Sequence, residues 1–221
     1  MIEGLLGIIL AIVIFILVLF FVKRKPDQKI ASEINRVMTS LGFINLELSN
    51  PKIKEIREAF RLTAPYPVYL EQVFHRIKED LIVCWITTTT ESNNNALVSI
   101  IPQKIRTGKW ILSNIPSVKG KIANIISKSY ELSLSSLNFT KVNNHFFGQS
   151  NNHFTLYVHK NDNLPSFKSE FFNVLEQCGD VIIRSSGTIV LIERISVVRD
   201  EPLEKEAKEL VRITQLLDTI F

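Results

Sequence analysis

Cysteine is scarce: Cys84 and Cys178 are the only two in 221 residues, too few to staple a small secreted fold with a disulfide framework. Cys84 lies in the apolar run 81–86 and Cys178 precedes Gly179. Both read as small core or near-core residues, with a bridge between them left open. No Pro/Gly/Ser-rich linker interrupts the chain after residue 26 and no internal repeat is visible, so the simplest division is a short N-terminal segment, 1–25, and one domain, 26–221. Charge of one sign is also scarce. The chain carries 26 basic and 22 acidic residues, a net +4, and three of those cations, Lys23, Arg24 and Lys25, precede the domain. The nearly neutral remainder excludes the strongly basic footprint of a nucleic-acid-binding domain.

Several chemical signatures are missing as well. A P-loop needs Gly, four residues and then Gly-Lys-Ser/Thr so that successive amides cradle phosphates, but Ile122 follows Gly120-Lys121 and Gly108-Lys109 leads into Trp110. The Rossmann glycine pattern and the Gly-x-Ser-x-Gly elbow are absent. Ser185-Ser186-Gly187 is accounted for as a hairpin turn. Of the four histidines, His145, His153 and His159 fall within a short stretch, but their spacing suits neither a helical pair nor a zinc clip, and His75 has no Cys or acidic cluster beside it. No catalytic residue, metal or cofactor is therefore expected. The one glycosylation sequon, Asn138-Phe139-Thr140, carries no weight in so Asn-rich a chain.

What the chain does have begins at its amino end. Residues 4–22 are an unbroken apolar run, about 28 Å long as a helix, which matches the hydrocarbon thickness of a bilayer. Glu3 precedes it and Lys23, Arg24 and Lys25 close it, the opposite of a cleaved signal peptide's charge order. The expectation is a single transmembrane helix with the basic flank and the following domain on the cytoplasmic side and the N-terminus outside.

Beyond Pro26, apolar Ile30, Ile34, Val37, Met38 and Leu41 recur at helical spacing up to Gly42. Asn50-Pro51 marks a second helix with Ile53, Ile56 and Phe60 on one face. Residues 68–77, 81–90 and 96–101 predict a three-stranded antiparallel meander, with 66–76 also admitting a helix. A short strand over 109–112, a helix starting near Ser117, strands over 138–142 and 153–159, and a helix opening at Pro165-Ser166 and ending at Gly179 follow. The runs 180–184 and 188–195 flank the Ser185-Gly187 turn, and Val190, Leu191 and Ile192 leave no polar face, which predicts a central strand covered on both sides. A last helix begins near Pro202 and presents Leu203, Ala207, Leu210, Ile213 and Leu217, a stripe suited to the domain's own sheet or to a dimer seam. Together these predict an α+β fold: one compact domain with a mainly antiparallel sheet packed by helices behind the transmembrane helix.

The local charge pattern singles out one stretch. No Asp or Glu occurs between Ser92 and Tyr130, while Lys104, Arg106, Lys109, Lys119, Lys121 and Lys128 all do. These six are the candidate contacts for an anion or an anionic lipid headgroup, each cation near a membrane surface contributing about 1 kcal/mol. Lys119-Gly120-Lys121 near a helix start adds a weak anion site. The function expected is a membrane-anchored interaction or scaffold module, such as an accessory subunit of a membrane complex. Its partners are the bilayer through residues 4–22, a membrane protein and anionic lipid. The rivals are a membrane-tethered enzyme and a lipid-surface sensor, each using the basic face for an anionic ligand.

Overall fold

The computed structural model describes residues 28–88, 94–103, 107–113, 121–142, 154–167, 169–194 and 202–220. Residues up to Arg36 belong to one compact unit and Val37–Phe221 to a second. Helix α1 (Gln28–Ser40) starts in the first and ends in the second, closing at Gly42, whose φ of 82° supplies the left-handed stop. Among the described residues no helix is long and apolar enough to cross a membrane. The apolar run 4–22 and its flank Lys23, Arg24 and Lys25 lie outside them.

Among the described residues, the second unit is built on one nine-stranded sheet in which every adjacent pair is antiparallel. In chain order the strands are β1 (Ile44–Asn45), β2 (Val68–Arg76), β3 (Leu81–Thr88), β4 (Asn94–Pro102), β5 (Trp110–Ser113), β6 (Phe139–Lys141), β7 (Thr155–His159), β8 (Val181–Ser185) and β9 (Ile189–Arg194). Across the sheet they run β1-β2-β3-β4-β9-β8-β5-β7-β6. β9 is thus the middle strand, and Val190, Leu191 and Ile192 are fully buried, as their unbroken apolarity predicts. Both edge strands are two or three residues long, and a bulge between Leu70 and Gln72 bends the outer part of β2, devices that discourage edge-to-edge association.

The alternation of side chains across the strands decides which helix lies where. Ile82, Cys84, Val98, Ile100, Leu191 and Val73 share one face and pack against Ile53, Ile56, Ala59 and Phe60 of helix α2 (Pro51–Thr63). Farther along the same face, Ile111, Tyr157 and Ile182 meet Tyr130 and Leu134 of helix α3 (Lys121–Ser136) and Leu137 just after it. On the reverse, helix α4 (Ser169–Cys178) and helix α5 (Leu203–Asp218) cover Trp110 and β4. The α5 stripe Ala207, Leu210, Ile213 and Leu217 is buried on the sheet.

Local signals explain these elements. Asn50 Oδ1 accepts from the Lys52 amide and Pro51 opens α2, satisfying one orphan donor and pre-setting φ. Gly179 ends α4 at φ 67°, and Gly187 turns the β8–β9 hairpin at φ 97°. The meander forms as β2, β3 and β4, so the helical alternative over 66–76 gives way to a strand. The helix foreseen at Pro165 begins at Ser169, because Phe167 leaves the helical path to set its ring edge-on to Trp110 at 5.1 Å while stacking on Phe171 at 4.5 Å. The onset foreseen near Ser117 and the acids Asp200 and Glu201 ahead of α5 lie outside the described residues. Within the last helix, Glu204 and Glu206 occupy the first turn. Both cysteines are free and buried. Cys84 packs under α2 and Cys178 sits at the end of α4, on opposite sides of the sheet.

Candidate functional site

The α2/α3 side of the sheet holds a buried charge. Arg184 faces it from β8, directly across from Leu191, and is 1% exposed. Its Nη1 donates to Glu193 Oε2 at 2.6 Å, a diagonal neighbour on β9, and its Nη2 donates to the Tyr66 hydroxyl at 3.0 Å. Burial works against the guanidinium's charge, but Tyr66, Glu193 and Tyr130 around it outweigh that and move its pKa up, so it stays charged. Burial pushes the Tyr66 hydroxyl up to about 12 and raises Tyr130 as well. Arg184 Nε and the Tyr130 hydroxyl are buried without a hydrogen bond among the described residues.

Above Tyr66 the surface is concave. The end of α2, the segment leading into β2 and the end of α3 enclose a groove of about 400 Å³. Its walls are mainly apolar, Phe60, Pro65, Pro67, Val68, Leu70 and Leu137 among them, and its charged lining is cationic: Arg57 and Arg61. Arg61 is held by Glu58 on the preceding turn at 2.5 and 2.7 Å. Arg57, one turn earlier and exposed, makes no hydrogen bond or ion pair among the described residues.

Two smaller polar clusters lie on the same face. His75 Nε2 and Lys52 Nζ approach Asp80 Oδ1 at 2.9 and 3.0 Å, and the hydrogen bond from Lys52, then that from His75, holds the Asp80 carboxyl below its ordinary range. Near β6, His159 Nδ1 and Lys109 Nζ approach Asp162 Oδ2 at 3.3 and 3.8 Å. The described residues contain no group of three or more His, Cys, Asp or Glu placed to hold a metal ion.

The six cations of the basic stretch are not brought together among the described residues. Lys104, Arg106 and Lys119 lie outside them. Lys121 opens α3 without a described side chain, and Lys128 is exposed on the same helix. Lys109 faces Asp162, an acid supplied from outside the acid-free stretch. His145 and His153 also lie outside the described residues.

Nothing in these clusters supplies a nucleophile. Ser185 Oγ is held by Gly108 O at 3.1 Å and accepts from the Gly187 amide at 3.1 Å, and Ser186 Oγ accepts from the Ile189 amide. Cys84 is buried and its thiol pushed far up by desolvation, while Cys178 is pushed up by burial to about 11. A guanidinium cannot deprotonate and serves only to bind or orient. What the α2/α3 side offers chemically is a groove with apolar walls and a cationic rim, lined in part by Tyr66, whose hydroxyl is held by the buried Arg184.

Sequence reasoning did not single out Arg184, Glu193, Tyr66 or Arg57. A signal for the first two was present: opposite charges inside the apolar runs 181–185 and 189–194, placed to meet across the hairpin turn. Arg57 carried none, since it reads as one more cation on a solvated helix face. No family model matches the chain, and no curated protein or solved structure matches it.

Proposed function

We propose that the chain is a membrane-anchored interaction module, an accessory subunit of a larger membrane complex. Residues 4–22 span the bilayer, Lys23, Arg24 and Lys25 sit at the cytoplasmic surface, and the α+β domain is held beside it. The observation that carries this reading is the engagement of the domain's polar side chains. Arg184 and Glu193 pair with each other, Ser185 with backbone, Asp80 with Lys52 and His75, and Asp162 with Lys109 and His159, and the concave surface is walled mainly by apolar residues without an acid–base pair. Binding, rather than bond making, is what such a surface does. Purification of the tagged full-length protein in mild detergent, with the stoichiometry of each co-purifying component measured, tests it. A stoichiometric membrane protein is the expected result. A chain that elutes alone and is released from membranes by alkaline carbonate overturns it.

A further inference from the structure

We infer that the groove between the ends of α2 and α3 binds a single-chain anionic amphiphile drawn from the bilayer, with its acyl chain along the apolar walls and its anionic head on Arg57. This rests on the membrane-anchored reading above for the source of the ligand, but its geometry stands apart from it.

Three features of the groove select this chemistry. Its volume, about 400 Å³, is of the size that encloses a small ligand rather than a folded partner. Its side-chain hydroxyls at two positions are engaged: the Tyr66 hydroxyl accepts from Arg184 at 3.0 Å and Ser136 Oγ donates to Ser133 O at 2.7 Å. An acyl chain asks these walls for no hydrogen bond, whereas a peptide would have to pair its amides with the outer edge of β2, which β1 covers only at Phe74 and His75. The charge is one-sided and at the rim. Arg61 is occupied by Glu58, so Arg57 is the cation available to a carboxylate or phosphate. Lys54, one turn before it and exposed on the same helix, does not line the groove and provides an internal control.

The test uses full-length protein in nanodiscs of neutral phosphatidylcholine and a palmitate carrying a diazirine, with the corresponding fatty alcohol as the uncharged probe. Photolabelled residues are mapped by peptide mass. The expected result is labelling within 60–70 and at 136–137, about tenfold weaker with the alcohol and about tenfold weaker in Arg57→Glu, with Lys54→Glu unchanged. Equal labelling by acid and alcohol, equal losses in the two variants, or labelling confined to residues outside the groove overturns the proposal. Both substitutions are at exposed positions, and an unchanged thermal transition shows that each variant is folded. Carbonate extraction of the same samples reads the anchor separately. Groove labelling in a chain that washes off the membrane sinks the anchor and leaves the groove. An embedded chain with an unlabelled groove does the reverse.

Discussion

On the α4/α5 side of the sheet, Trp85, Trp110, Val190 and Ile192 are buried beneath helices whose own contribution is almost wholly apolar, with Phe167, Phe171 and Phe172 packed ring against ring. The one buried side-chain hydrogen bond described between this side of the sheet and a helix joins Ser99 Oγ to Thr214 Oγ1 at 2.5 Å. On the α2/α3 side the same strands present Arg184 and Glu193, two tyrosines converge on the guanidinium, and His75 and His159 each meet an aspartate. The α4/α5 side holds the sheet with no charge buried among the described residues, its polar burial limited to groups such as the Ser99–Thr214 pair and the indole Nε1 atoms of Trp85 and Trp110. A buried ion pair contributes little net stability against a well-packed apolar substitute, so its presence on one side alone marks that side as the one shaped for more than cohesion. The groove opens on that side.

Substitutions sharpen the contrast. Arg184→Ala leaves Glu193 largely enclosed and unpaired and is expected to cost about 3 kcal/mol by chemical denaturation. The double replacement Arg184→Met with Glu193→Leu recovers most of that loss. If it does not, the pair contributes stability in its own right and the two sides differ less than argued here. Phe171→Ala, fully buried on the apolar side, costs a similar amount, about 3 kcal/mol, and leaves palmitate labelling of the groove intact. Ser99→Ala costs only about 1 kcal/mol, because the Thr214 hydroxyl keeps its hydrogen bond to Leu210 O when its Ser99 partner is removed. The smallest effect is on the polar side. The Asp80 carboxyl is depressed by Lys52 and His75, so its contribution is present above the carboxylate's unfolded pKa of about 4 and is lost as pH falls through its lower folded value. Stability curves of wild type and Asp80→Asn should be separated at pH 7 and converge as pH falls through the lowered Asp80 value. Asn tolerates the left-handed backbone at this position, φ 48°, so the comparison isolates the charge.

Elements dictated by neighbouring residues were legible in the chain. Asn50-Pro51 starts a helix because side chain and ring act within one turn. Ser185-Ser186-Gly187 makes a hairpin because Gly187 reaches φ 97° and no residue with a Cβ fits there, 2.9 Å from Thr107 O. The central place of β9 followed from three consecutive apolar residues. Features made by residues far apart were not legible. The acid-free stretch looked locally positive, yet Asp162 returns to Lys109 from beyond it. The groove joins Arg57, Val68 and Leu137, which share no local pattern. Phe167 satisfies helical periodicity as well as Phe171 does, and only the position of Trp110 decides that it leaves the helix.

The order of strands carries a last consequence, for synthesis. β4 is joined to β9, Val98 to Glu193 and Pro102 to Ile189, so the middle of the sheet is closed by a segment made long after its partner. The meander β2-β3-β4 can form early from near neighbours, but its inner edge waits from Pro102 until Ile189 has been made for its partner, and pairings so distant in sequence close slowly. Throughout that interval β4 presents an unfilled apolar margin, while residues 4–22 have already emerged. The apolar N-terminal run is therefore available to any targeting machinery well before the domain behind it is complete.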